Sequence, residues 1–204
     1  MTIIRTFKLY GHLIAGEERE GVRGALYNYV LAGNGLFIRA EREGLKVCFP
    51  VQNFEVKNLP DVSPSFEMQM ERVPSLLVSE MISMARHWAR EGREDLFHFI
   101  RERDAWEVHE PHQVRMGGSC RPLHDGPDST HERAFIEAHS HHRMQAYFSS
   151  IDNADETGFR IYAVLGDIPR EPKIRVRVGV YGNFWEIPAE WVFELPDGLS
   201  ENNA

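Results

Sequence analysis

The chain has 204 residues, of which 42% are hydrophobic and 26% charged, and a formal net charge of −8. That balance belongs to a folded protein rather than a disordered one, long enough for one ordinary domain with an added module or for two small domains. A generally acidic surface repels a phosphate backbone, which argues against a nucleic-acid partner.

The opening stretch MTIIRTFKLYGHLIAGEE carries no apolar core of signal length. No run in the chain approaches the roughly eighteen apolar residues of a membrane span, so the expectation is a soluble, cytoplasmic protein. Ala25 to Leu31 reads as a strand, Gly33-Asn34-Gly35 as a turn that tolerates positive φ, and Leu36 to Ala40 and Leu45 to Val51 as the next two strands. Together they predict a β-meander. Asn58 to Ser65, with two prolines, reads as a linker or long loop. A boundary near residue 72 therefore divides an N-terminal, mainly β module (1–72) from a second domain (73–195), with a polar, frayed tail at 196–204.

Pro74 to Arg90 is the clearest helix. Leu77, Met81, Met84, Ala85 and Trp88 form one apolar stripe, Pro74 suits the first turn, and Gly92 suits the stop. Strands follow at Leu96 to Ile100, Trp106 to His109 and Ala134 to His139, with a loop at Gly117 to Ser129. Beyond them come Phe159 to Leu165 and Ile174 to Tyr181. In the latter Ile174, Val176, Val178 and Val180 alternate with Arg175, Arg177 and Gly179, which predicts a half-buried strand. A last strand covers Phe184 to Ile187. No internal repeat or low-complexity tract is present. One long helix with many strands gives an α+β fold with a mixed β-sheet.

Cys48 and Cys120 form no CxxC pair, so neither a disulfide framework nor a cysteine-ligated zinc site is expected. The chemistry concentrates in Ile136 to Asp152, IEAHSHHRMQAYFSSID. His139 and His141 stand two apart, so an extended strand projects both imidazoles from one face. Asp152, carried back by a short turn or helix, can supply a carboxylate. Two histidines and one carboxylate leave a fourth tetrahedral position open, the pattern of a catalytic zinc site.

These residues resemble the motif of the JAMM (JAB/MPN+) zinc metallopeptidases. That motif is His-x-His, seven residues, a serine, two residues and an aspartate, preceded upstream by a glutamate. Here His139 and His141 are followed by seven residues, His142 to Phe148, then Ser149 and, after two more, Asp152. The resemblance covers roughly residues 73 to 195. It implies a JAB/MPN-type, cytidine-deaminase-like fold and a Zn2+ ion on His139, His141 and Asp152. In that family the glutamate follows the first helix, and Glu94 sits there; Glu91 and Asp95 stand close enough to take the same role. Phe97 replaces a frequent glycine, His142 a frequent proline and Phe148 another, none of them a metal ligand. The extra N-terminal segment and the short interval from the glutamate to the histidine pair are also similar to the JAB proteins of a bacterial gene cassette, the PRTRC system protein A group. Neighbours of that group include a ThiF-like activating enzyme and a ubiquitin-like protein.

The resemblance implies hydrolysis of a peptide or isopeptide bond, with a peptide or a ubiquitin-like protein as substrate. It gives Glu94 the expected role of base and Ser149 that of oxyanion donor.

Each residue also has a plainer reading. An HxH arises by chance in a chain with ten histidines, and Ser149 with Asp152 looks like a helix N-cap with an acidic N3 residue. The cap reading is compatible with the metal reading, because a cap orients the turn that presents Asp152. Glu94 alone is an ordinary solvated glutamate near a helix end. His109-Glu110-Pro111-His112 lacks the HExxH spacing and contains a helix-breaking proline. His98, His124 and His131 have no assignment. A barrel-type hydrolase needs about 250 residues, and a zinc deaminase needs a PCxxC pair that is missing. The alternative of a different class is a non-catalytic scaffold of the same fold.

Overall fold

A computed structural model describes residues 8–17 and 23–202. The opening stretch and the end of the tail lie partly outside these residues. The chain divides into two compact units, Met1–Glu71 and Arg72–Ala204. The protein is mixed α and β, mostly sheet.

In the first unit, β1 (Tyr10–Ile14), β2 (Tyr27–Ala32), β3 (Gly35–Arg42), β4 (Leu45–Asn53) and β5 (Ser65–Met68) form one sheet in sequential order. β1 runs parallel to β2, and the other pairs are antiparallel. The meander expected from the turn signal at 33–35 and the strands around it is present. Gly35, with φ of +143°, makes the first turn in a backbone region that side chains rarely adopt. β1 and β5 escaped the sequence reading because four or five residues are too few to show a period.

The second unit starts with α1 (Ser75–Arg90), capped by Pro74 and ended before Gly92 at positive φ. Its buried stripe is Val78, Met81, Ile82, Ala85 and Ala89, about one residue around from the expected one. The reason lies in Trp88. Its ring is covered by the Arg115 guanidinium at 4.2 Å and its Nε1 donates to Glu110 Oε1 at 3.1 Å, so it flanks the core.

The main sheet consists of β6 (Leu96–Glu102), β7 (Ala105–His109), β10 (Ile136–Ser140), β11 (Phe159–Gly166), β12 (Lys173–Val180), β13 (Asn183–Ile187) and β14 (Ser200–Glu201). Its order is β13-β12-β11-β10-β6-β7, with β14 beside β12. A separate hairpin, β8 (Gln113–Arg115) and β9 (Cys120–Pro122), cuts into what the sequence presents as a loop. α2 (Thr130–Arg133) and α3 (Ser150–Asp155) are short.

Residues 196–202 are not frayed. β14 adds to the sheet parallel to β12, Leu199 is buried, and Asn202 Nδ2 donates to the Ala146 carbonyl at 2.8 Å. Backbone pairing holds this segment where composition alone indicated a tail. Among the described residues no helix is long and apolar enough to cross a membrane.

Candidate metal centre

The position of the site follows from strand direction. β10 runs parallel to β11 and antiparallel to β6. The carboxyl end of β10 therefore meets the carboxyl end of β11 and the start of β6, the kind of place where open α/β sheets bind ligands. His139 pairs with Leu96 on one side and Val164 on the other. At the strand end, the Ser140 N–H donates to the Asp95 carbonyl at 2.9 Å, and the Asp95 N–H donates to Ser140 Oγ at 3.0 Å. The His141 N–H donates to the Leu165 carbonyl at 2.7 Å. Extended geometry thus continues through His141, and the two histidines share a face. Their Nε2 atoms lie 3.1 Å apart.

The third donor arrives on the crossover from β10 to β11, where α3 begins. Ser149 caps that helix, its hydroxyl accepting from the N–H groups of Ile151 and Asp152 at 3.2 and 3.3 Å. Asp152 closes the capping box, with Oδ2 accepting from the Ser149 N–H at 2.5 Å. Its other oxygen, Oδ1, stands 3.3 Å from His139 Nε2. The plain cap and the metal-facing carboxylate coexist in one side chain, one oxygen each.

Glu94 lies just before β6, where the antiparallel register with β10 delivers it beside His141. It is only 3% exposed, and Oε1 is 3.9 Å from His141 Nε2. Burial, with the nearby Asp152 charge adding to it, raises its pKa to about 7. The other two carboxylates considered for this role point elsewhere. Glu91 is exposed and lies 3.7 Å from the Arg93 guanidinium, while Asp95 is fully buried and accepts from Arg115 Nε at 2.7 Å.

The protonation states favour a cation. Burial depresses His139 to about 4 and lowers His141 as well, so both rings are neutral at neutral pH. His141 Nδ1 faces the Gln145 carbonyl at 3.3 Å. A carbonyl only accepts, so the ring proton belongs on Nδ1 and the lone pair on Nε2, toward the other donors. Burial pushes Asp152 up, but His139 and the two donors of Ser149 outweigh it and hold the carboxyl below its usual range.

The donor set could hold a metal ion. A tetrahedral ion with ligands at about 2.0–2.1 Å spaces them about 3.3 Å apart. The observed 3.1 and 3.3 Å separations match that edge. One nitrogen from each histidine and one oxygen of Asp152 lie within 4.8 Å of one another.

Two supports were invisible in the sequence. Arg177, 4% exposed on β12, lies between the Phe148 and Phe184 rings at 4.0 and 3.8 Å. It donates to Glu156 at 2.7 Å and to Asn153 at 2.6 Å, which ties the far side of α3 to the sheet. The alternating arginines of β12 predict an outward side chain, but α3 and the two rings cover this one. Gly166 ends β11 where a Cβ would come 2.0 Å from the Ala146 backbone nitrogen. Only glycine lets the 144–146 loop, which carries the Gln145 carbonyl, cross there.

The remaining candidates lie apart from the centre. His142 has a positive φ of 31°, and its Nε2 lies 3.1 Å from the Gly117 carbonyl. In the HEPH stretch, Glu110 accepts from Trp88 and Arg115. Both thiols are raised by burial, Cys120 additionally by Glu94 and its neighbouring carboxylates, so neither is primed as a thiolate. No family model matches the chain, and no curated protein does.

Proposed function

We propose that the chain is a zinc-dependent metallopeptidase or isopeptidase of the JAMM type, with a JAB/MPN-like second unit. One observation carries this reading: His139, His141 and Asp152 converge, with His139 Nε2 3.1 Å from His141 Nε2 and 3.3 Å from Asp152 Oδ1, and a buried carboxylate, Glu94, stands 3.9 Å from His141. The chain order of helix, glutamate, HxH strand and Ser/Asp cap supports the same assignment.

A zinc ion held there supplies Lewis acidity, polarising a carbonyl and acidifying a water. Glu94 takes the proton from the attacking water and delivers it to the leaving amine, a task suited to a carboxyl poised near neutral pH. The Ser149 oxygen already accepts two backbone N–H groups, and its own proton, shared with the Asp152 carboxylate, can turn to donate to the developing oxyanion. His139 and His141 remain neutral ligands. No covalent intermediate is required, in keeping with the raised thiols. The substrate is a peptide or the tail of a ubiquitin-like protein, and a ThiF-like activating enzyme is the matching partner. The acidic surface gives no foothold for nucleic acid.

The test is hydrolysis of a fluorogenic amide at the tail of a ubiquitin-like protein, with and without chelator, by the wild type and Glu94→Gln. Chelation should abolish turnover. Glu94→Gln should keep its zinc and lose about 10²–10⁴-fold in rate. Full activity in that variant excludes Glu94 as the base. A wild type that takes up no zinc sinks the peptidase reading and leaves the non-catalytic scaffold.

A further inference from the structure

A second convergence of donors lies on the same sheet and plays no part in the proposed reaction. His98 of β6 pairs directly with Glu137 of β10, and directly opposed residues project to the same face. His131 reaches the pair from α2. One donor atom from each of the three lies within 4.8 Å of the others.

Hydrogen bonding does not account for this arrangement. His98 is fully buried, its Nδ1 lies 2.8 Å from Thr130 Oγ1, and its Nε2 makes no hydrogen bond. That Nε2 stands 3.8 Å from Glu137 Oε2, too far for a bond and too close for comfort if both carry lone pairs. His131 Nδ1 lies 3.0 Å from the same oxygen yet is also buried without a well-aligned partner. A native interior leaves few such atoms orphaned, and two facing one carboxylate need a common explanation. An ordinary ion pair of His131 with Glu137 explains one of them and leaves His98 Nε2 bare.

We infer that His98, His131 and Glu137 form a second binding site for a divalent cation of the zinc class, distinct from the His139–His141–Asp152 centre. Two imidazoles and one carboxylate are the donors that such ions prefer, and separations of 3.0 and 3.8 Å bracket the tetrahedral edge. Arg160 Nη1 donates to Glu137 Oε2 at 3.1 Å and to the His131 carbonyl at 2.9 Å. A carboxylate has further lone pairs to offer, but the guanidinium neutralises part of its charge, so this site binds more weakly than the first. A cation here ties the α2 turn, which leads into β10, to β6. Its role is structural.

Zinc content decides the matter. The full chain is loaded with excess zinc, desalted and analysed for metal. Four proteins are compared: the wild type, the double variant His139→Ala/Asp152→Asn, and each of these with His131→Ala added. His131→Ala should remove about one equivalent from both parents. Glu137→Gln, nearly isosteric, should do the same, which separates loss of a ligand from loss of fold. Retention of the parent's zinc by either substitution overturns the site. Failure of the other centre reads differently: the wild type and the double variant then hold equal zinc, and the effect of His131→Ala remains visible.

Discussion

Glu137 and His139 stand two residues apart on one face of β10, each at the centre of a group of two histidines and one carboxylate. The strand-paired group is built across the sheet, with His98 and Glu137 locked by the β6–β10 register and Arg160 already on the carboxylate. The group at the strand end depends on elements outside the sheet: the α3 cap for Asp152, the 144–146 loop for the His141 tautomer, and Arg177 behind both. No lysine or arginine pairs with Asp152 among the described residues, and a buried carboxylate, Glu94, stands nearby. On the proposed readings, the first is a staple and the second a workplace. Donors fixed within the sheet suit holding an ion still, whereas donors at the end of parallel strands leave an approach for a substrate.

Damage to the supports of the strand-end group should therefore spare the strand-paired one. The largest effect is expected for Arg177→Met, which leaves Glu156 buried without its ion-pair partner. Such losses cost about 3–5 kcal/mol. Thermal unfolding should register this, and zinc analysis should show the strand-end equivalent weakened while the one sensitive to His131→Ala persists. Equal weakening of both would erase the distinction. Next comes Gly166→Ala. The new Cβ meets backbone rather than a flexible side chain, so overpacking of about 1–3 kcal/mol is expected, with the Gln145 carbonyl drawn away from His141. A melting point equal to wild type would show that the loop is free to yield. The smallest change in stability belongs to Ser149→Ala, about 1 kcal/mol for a lost cap. Its turnover should nevertheless fall about 10²–10³-fold if the hydroxyl serves the oxyanion, and a drop no larger than the loss of bound zinc would reduce Ser149 to a cap.

How much of this was legible in the sequence tracks the distance over which each feature is encoded. The HxH pair and the Ser149/Asp152 cap rest on strand alternation and a four-residue helix start, so they could be read from adjacent residues. α1 and the longer strands carried their periodicity openly. Glu94 was reachable only through the order of elements in the resembling family, because its closeness to His141 is a product of the β6–β10 register. Arg177, Gly166 and the His98–His131–Glu137 group were not legible. Each depends on contacts between segments twenty or more residues apart that no local pattern announces. The hairpin β8–β9 and the closing β14 escaped for a related reason, since strands of two or three residues have no period to detect.

The capping box gives Asp152 two separate employers. One oxygen belongs to the folding of α3 and is engaged before any ion arrives, so the helix start arrests the side chain's rotation. Little freedom remains to be surrendered when a cation binds. Demetallated protein should then keep its shape around the centre, and affinity there reflects the ligands themselves with little deduction for disorder lost. The same sharing constrains change: an alanine at this position loses one arm of the α3 capping box along with the proposed ligand, so drift toward an inert relative is easier through the histidines than through the aspartate.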